Sequence, residues 1–335
     1  ATMIGEGKVE EIRRRAEEER ATIVIFDEEL SPVQGANLEK ELGARVMDRP
    51  EVILDIFSTR ARTHEARLQV ELAQLEYLLP RLARMWTHLS RIRGGIGLRG
   101  PGETQLETDR HIIRKRIQAL RGKLRGVERH RATLRASRNP MLSVALVGYT
   151  NAGKSSLLRG LSGERGILVE DRLFATLDTL TREVQLGDGA RVRVSDTVGF
   201  IRKLPHHLVA SFRATLEAVR ESDLLLHVVD AGHPDWEEQM EVVDEVLAEL
   251  ELDDHEIIPV FNKMDTVDDP EAFSDRAREL YPTGVMTSTV KESGLDGLTA
   301  MLQFRARSLK QVISVRVHMA DGALLAAVYR TGDVL

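Results

Sequence analysis

Met141-Leu142-Ser143-Val144-Ala145-Leu146-Val147-Gly148-Tyr149-Thr150-Asn151-Ala152-Gly153-Lys154-Ser155-Ser156-Leu157-Leu158 decides how this chain folds. The apolar, branched run predicts a buried strand, Gly-x-x-x-x-Gly-Lys-Ser a tight loop, and the leucines beyond it a helix. That order is the context a P-loop requires. Gly148 and Gly153 let the backbone turn closely around a phosphate. Successive N–H groups and the N-terminus of the helix then face the anion. Lys154 is expected to reach the β- and γ-phosphates and Ser155 to ligate Mg2+. The plain alternative, a Gly-rich turn before an ordinary helix, leaves the flanking strand and helix to coincidence.

The 335 residues, 42% hydrophobic, are enough for two or three domains with their own cores. Cysteine is absent, which excludes a disulfide framework, a Cys zinc site and thiol catalysis. No apolar run approaches the ~18 residues of a membrane span, and the N-terminus is charged rather than signal-like, so a cytoplasmic protein is expected. The net charge of −6 hides an asymmetry. Residues 81–140 hold 16 Lys and Arg against 4 Asp and Glu, a surplus of +12 that leaves −18 on the rest. A basic segment on an acidic protein points to a polyanionic partner.

The chain begins with a charged helical stretch over residues 1–20, then a short buried strand at 21–27. Ser31-Pro32, with Gln34 three residues after Ser31, predicts a capped helix that Gly43 ends. A second strand follows at 44–48 and a helix after Pro50. Residues 1–58 therefore read as a small α/β layer, without phosphate loop or paired catalytic groups, that serves as scaffold or docking domain. A chain opening on a helix at Ala1 reads as lacking a first strand.

Leu68, Leu72, Leu75, Leu79, Leu82, Trp86 and Leu89 form one heptad seam, with a kink expected at Pro80. Leu106, Ile113, Ile117, Leu120, Leu124, Val127 and Leu134 form another, broken by Arg131. Residues 59–138 thus predict a long antiparallel helical hairpin with a glycine tip at 94–102. Gly94, Gly95, Gly97 and Gly100 in the tip, flanked by Arg91, Arg93, Arg99 and Arg110, suit close approach to the phosphate-dense interior of folded RNA. A coiled-coil arm that packs on its own domain or dimerises, with solvated charges, is the bland reading.

Residues 139–310 continue as a nucleotide switch on a mostly parallel sheet. Residues 166–181 are polar and threonine-rich, as a first switch loop is, with Thr176, Thr179 and Thr181 all candidates for a γ-phosphate sensor. Two strands joined at Gly187-Asp188-Gly189 deliver Asp196-Thr197-Val198-Gly199. Asp196 is placed to hold Mg2+ through water, and the Gly199 N–H to bond the γ-phosphate. The apolar strand 224–230 has the character of a parallel-sheet centre. After strand 257–261, Asn262-Lys263-Met264-Asp265 reads the base: a carboxylate at Asp265 accepts from guanine N1–H and its amine, and adenine offers no such donor pair. The loop Ser288-Thr289-Val290 is expected to meet the guanine carbonyl oxygen. Residues 311–335, a strand at 312–319 and a helix at 322–329, read as a C-terminal α/β segment cut short.

In this order the motifs resemble the translation-factor-related GTPases. Gly148 to Ser155, Phe174-Ala175-Thr176-Leu177-Asp178 and Asp196-Thr197-Val198-Gly199-Phe200 look like the HflX family. So do Arg60-Ala61-Arg62-Thr63-His64-Glu65-Ala66 and Gly100-Pro101-Gly102-Glu103-Thr104-Gln105-Leu106-Glu107. The resemblance covers nearly the whole chain. It implies a GTP/GDP-binding GTPase of the large ribosomal subunit that splits, rescues or recycles ribosomes, its hairpin reaching toward the peptidyl-transferase centre; a monomer is expected. Association with ribosomes or with a membrane surface would follow. The resemblance selects Thr176 as the switch-loop Mg2+ ligand, beside Ser155 and Asp196. By likeness to potassium-stimulated GTPases, Asn151 would help hold a K+ at the phosphates. Ser156 stands where the family often has threonine, and Ser288-Thr289 where Ser-Ala is usual.

Phe200 occupies the position at which many small GTPases carry a water-orienting glutamine, so slow intrinsic hydrolysis is expected, the catalytic groups being Lys154, Thr176, Gly199 and Asn151. Two other functions fit the same residues: a nucleotide-gated RNA-remodelling protein that needs no ribosome, and a coiled-coil dimer for which GTP is a structural ligand.

Overall fold

A computed structural model of the protein describes residues 2–82, 101–136, 141–164, 174, 176–187, 189–202, 218–252, 254–308, 316–318 and 322–331. The chain divides into two compact units. The first comprises Ala1–Arg138, Arg172–Asp178 and Ile201–Glu217; the second comprises Asn139–Asp171, Thr179–Phe200 and Ala218–Leu335.

The first unit opens with α1 (Glu6–Glu18), β1 (Ile23–Phe26), α2 (Pro32–Leu42), β2 (Arg45–Asp48) and α3 (Arg49–Arg60). The start and stop signals around α2 act as written. Ser31 Oγ accepts from Gln34 N, the Gln34 side chain accepts from Ser31 N, and Gly43 closes the helix at φ +67°. β1 and β2 pair in parallel as a two-stranded sheet. The buried strand expected at 21–27 is only half buried. Val24 and Phe26 pack against Val9, Leu30, Leu38, Leu42 and Val46, whereas Ile23 and Ile25 are 43% and 63% exposed. Period-two alternation puts neighbouring residues on opposite faces, and this small layer covers one face.

Asp48 ends β2 and caps α3, accepting from Glu51 N at 3.1 Å. The same buried carboxylate accepts from Leu30 N at 3.1 Å, Tyr77 Oη at 2.7 Å and Arg81 Nη2 at 3.3 Å. Arg81 also stacks 3.7 Å above the Tyr77 ring. Burial, then the bond to Asp48, pushes the Tyr77 phenol well above its ordinary pKa. This network ties the α/β layer to α4 (His64–Leu78) and to the 3-10 turn Leu79–Arg81 that Pro80 imposes at its end.

α4 packs against α5 (Pro101–Ala136) through Leu68, Leu72, Ile117, Leu120 and Leu124, flanked by Leu75, Leu79 and Ile113. Arg116–Glu71 and Arg121–Glu76 border that seam. The two seams pair as expected. The tip is shorter than expected at its far side, because Pro101 and Gly102 lie in α5: proline suits a first helical turn, where its missing N–H costs no bond. The rest of the tip, with Trp86 and Leu89, falls outside the described residues.

The second unit is a six-stranded sheet in the order β4-β5-β3-β6-β7-β8. Its strands are β3 (Ser143–Gly148), β4 (Leu180–Gly187), β5 (Ala190–Asp196), β6 (Leu224–Asp230), β7 (Ile257–Asn262) and β8 (Val285–Met286). Every pairing is parallel except β4 with β5, the hairpin turned at Gly187 and Gly189. The helices are α6 (Lys154–Ser162), α7 (Trp236–Glu249), α8 (Pro270–Leu280), α9 (Asp296–Ser308) and α10 (Gly322–Thr331). Leu157 of α6 and Leu298 and Leu302 of α9 share one cluster with Leu146, Val194, Leu226 and Val260. Trp236 and Met240 of α7 and Ala277 of α8 close another with Val229 and Phe261. β6 is buried along almost its whole length, as a central parallel strand must be. Of the strand expected at 312–319, only residues 316–318 are described, and they lie in no strand.

Candidate nucleotide site

β3 ends at Gly148 and α6 begins at Lys154, so the phosphate loop occupies the turn between them. Both glycines are required by shape. At Gly148 (φ +147°) a Cβ would lie 2.2 Å from Val228 O, and at Gly153 (φ +94°) 2.2 Å from Asn262 Nδ2. Asn151 also takes a left-handed backbone, at φ +64°. Lys154 Nζ donates to Gly148 O at 3.0 Å and to Tyr149 O at 2.8 Å. Burial lowers its pKa to about 8, partly offset by the charge of Asp196.

The segment after β5 is bound to this loop by backbone. Thr150 N donates to Phe200 O at 2.8 Å and Phe200 N to Gly148 O at 3.1 Å. Thr197 Oγ1 donates to Leu146 O at 2.7 Å. A Cβ at Gly199 would meet Thr150 Cα at 2.8 Å and Lys154 Nζ at 3.0 Å, so only glycine permits this approach. Phe200 is buried and its backbone is committed to the pairing. Thr150 Oγ1 is buried, without a hydrogen-bond partner among the described residues. Ser155 Oγ donates to Asp196 Oδ2 at 2.6 Å, which brings together two hard oxygen donors. Hydroxyl and carboxylate oxygens beside phosphate oxygens are the donor set Mg2+ prefers. Among the described residues, no group of three or more His, Cys, Asp or Glu could hold a metal on its own.

On the base side, Asn262 is buried and spans two loops: its Nδ2 donates to Ala152 O at 3.0 Å, and its Oδ1 accepts from Thr287 Oγ1 at 3.2 Å. Lys263 stands at φ +63°, its Nζ on Asp230 Oδ2 at 2.7 Å. Met264 N donates to Thr287 O at 3.1 Å. Ser288 Oγ donates to Asp265 Oδ1 at 2.5 Å and accepts from Val290 N and Lys291 N, so the loop 288–290 and the Asp265 carboxylate form one corner. Thr289 lies between them, half-buried, and Ser156 follows Ser155 in the first turn of α6.

The sequence did not single out Asp230, which orients Lys263, or Thr287 as the partner of Asn262. It also missed His227, buried in β6, whose pKa burial and then the charge of Lys154 hold down at about 3. An aspartate ending a strand gives no pattern of its own; the pairing of β6 with β7 places it.

Phe174, Thr176, Leu177 and Asp178 belong to the first unit. Phe174, at φ +55°, is buried edge-on against Phe57, ring centroids 4.7 Å apart, and Leu177 is buried as well. Asp178 Oδ2 accepts from Arg62 N at 3.0 Å and Thr63 N at 3.2 Å. Asp178 Oδ1 accepts from Thr63 Oγ1. Ala175 lies outside the described residues, as do Arg91, Arg93, Gly94, Gly95, Gly97, Arg99 and Gly100; of the proposed RNA contacts Arg110 alone is described, half-buried on α5.

A phosphate loop whose glycines admit no Cβ, an aspartate against its serine, and an Asn-Lys-x-Asp motif bonded to the loop 287–290 at the ends of adjoining parallel strands together define a P-loop GTPase. Three family models match in succession: a GTP-binding GTPase N-terminal model over residues 1–58, a GTP-binding GTPase middle-region model over 60–138, and a 50S ribosome-binding GTPase model over 143–263. The chain is 47% identical to the GTPase HflX of Magnetococcus marinus over 338 residues, covering 100% of this chain and 78% of that protein. It is 45% identical to the GTPase HflX of Escherichia coli over 329 residues, covering 98% and 77%. A solved structure of a GTP-binding protein from Sulfolobus solfataricus in complex with GDP is 25% identical, with a TM-score of 0.50 and 92% and 86% coverage. This chain belongs to the HflX family of GTPases. It binds GTP and GDP and hydrolyses GTP.

Proposed function

We propose that this GTPase acts on the large ribosomal subunit, switching with GTP to split, rescue or recycle ribosomes. The observation that carries this reading is the match of residues 143–263 to the 50S ribosome-binding GTPase model. The +12 surplus over residues 81–140, on α5 and its flanks, supplies the electrostatics for an RNA partner. The protein acts as a monomer in the cytoplasm, at ribosomes. No helix among the described residues is long and apolar enough to cross a membrane.

Ser155 and Asp196 would hold Mg2+ with Thr176 completing the set, and Asn151 would hold K+. Lys154 and the Gly199 N–H would stabilise charge on the transferred phosphoryl group. A buried, backbone-paired Phe200 cannot orient the attacking water. Intrinsic turnover is therefore slow, and the ribosome accelerates it. Turnover at tens per second by the isolated protein would defeat that idea, and equal rates in potassium and sodium buffers would remove the K+ site.

The first test is sedimentation with purified large subunits in a non-hydrolysable GTP analogue and in GDP, with a variant lacking residues 94–102. Analogue-dependent pelleting that the deletion weakens is expected. No pelleting in either state overturns the ribosome reading; binding to protein-free RNA instead would favour nucleotide-gated RNA remodelling, and a stable dimer without RNA affinity the coiled-coil reading.

A further inference from the structure

The motif Arg60–Ala66 receives the segment that carries Thr176. Asp178 lies at the corner between α3 and α4 with its carboxylate on two backbone N–H groups and one hydroxyl. Those N–H groups belong to residues immediately ahead of α4, where the helix dipole favours an anion. Thr63 is itself the N-cap of α4, accepting from Ala66 N at 3.1 Å. Four residues earlier, Phe174 is seated against Phe57 of α3. The start of the segment after Phe200 ends on the same unit, Arg202 O accepting from Arg49 Nη2 at 2.6 Å.

We propose that Phe174 and Asp178 form a two-point latch that makes the position of Thr176 and the seating of the α3–α4 corner one linked equilibrium. The proposal rests on the reading of Thr176 as the switch-loop Mg2+ ligand. The reason is the reach of the chain. An extended residue spans at most about 3.6 Å, so Thr176, two residues from each anchor, stays within about 7 Å of both. Switch loops are ordered by the γ-phosphate and released on hydrolysis. Any excursion of Thr176 beyond that radius breaks one anchor or draws α3–α4 with it. α4 continues into the seam with α5, so the latch gives nucleotide state a route to the basic arm. Asp178 and Phe174 are positioning residues in this scheme: they act through Thr176 and α4.

The test is hydrogen exchange of the full chain, followed at residues 62–66 in GDP and in a non-hydrolysable GTP analogue, with nucleotide occupancy verified by displacement of a fluorescent GDP. The Arg62 and Thr63 amides are expected to differ several-fold in exchange between the two states. The difference should vanish in Asp178→Ala and in Thr63→Val, and persist in Thr63→Ser, which keeps the hydroxyl. Equal exchange in the two states of the unaltered protein, at full occupancy, overturns the latch without any variant having to fold. GTP hydrolysis at the unaltered rate by Thr176→Ala would instead overturn the switch-loop reading on which the latch stands.

Discussion

Lys154 is a buried cation whose partners are carbonyl oxygens, and burial holds its pKa at about 8 against an ordinary 10.5. Charge on Lys154 therefore costs stability below pH 8, and that cost is relieved as pH rises from 8 toward 10.5. A nucleotide phosphate beside the ammonium favours the charged form, so binding at pH 8.5 draws a proton from solution. Calorimetric titration with GDP in buffers of different ionisation enthalpy should show net uptake of about three-quarters of a proton at pH 8.5 and about a tenth at pH 7, with affinity falling above pH 8. Gly153 makes a different demand. Gly153→Ala places a methyl 2.2 Å from Asn262 Nδ2 at a backbone φ of +94°. Left-handed backbone alone costs a non-glycine residue about 1–2 kcal/mol. The clash also displaces the Asn262 bond to Ala152 O. GDP affinity should fall by at least about tenfold, measured by fluorescent-nucleotide displacement, because 1.4 kcal/mol is a factor of ten.

At the scale of elements, the Asp48–Tyr77–Arg81 network decides how firmly the α/β layer holds α4. Arg81→Ala leaves Asp48 buried with neutral partners only, and breaking a buried pair from one side costs about 3–5 kcal/mol. Leu30 N, Glu51 N and Tyr77 Oη still bond the carboxylate, so the lower end, about 3 kcal/mol, is expected. Tyr77→Phe removes one bond to a charged group and should cost about 1.5–3 kcal/mol. Urea titration of the first unfolding transition checks both, Arg81→Ala being the larger. The capping box of α2 and the seam of α4 and α5 were legible as sequence, because each depends on residues three to four apart. The half-exposed β1 was not. Ile23-Val24-Ile25-Phe26 reads the same whether one face or two are covered, and only the two-stranded pairing with β2 distinguishes them.

For the whole molecule, on the proposed ribosome reading, the +12 surplus over residues 81–140 of an otherwise acidic chain would set the salt response. Binding to the large subunit should weaken along a straight line in log salt, by about 0.7–0.9 per phosphate neutralised. Arg110→Ala should lower that slope by about one, measured by sedimentation across a salt series. The phosphate loop, the Asp-x-x-Gly turn, the Asn-Lys-x-Asp corner and the nucleotide class were determined by the sequence alone. Each is a contiguous run, so spacing along the chain carries the pattern. The partners that hold Lys263, Asn262 and the segment 174–178 in place were decided by the tertiary structure: Asp230 on Lys263, Thr287 on Asn262, and Thr63 under Asp178. These pairs lie 33, 25 and 115 residues apart. Only strand order and packing bring them within bonding distance, and no local pattern in the chain records it.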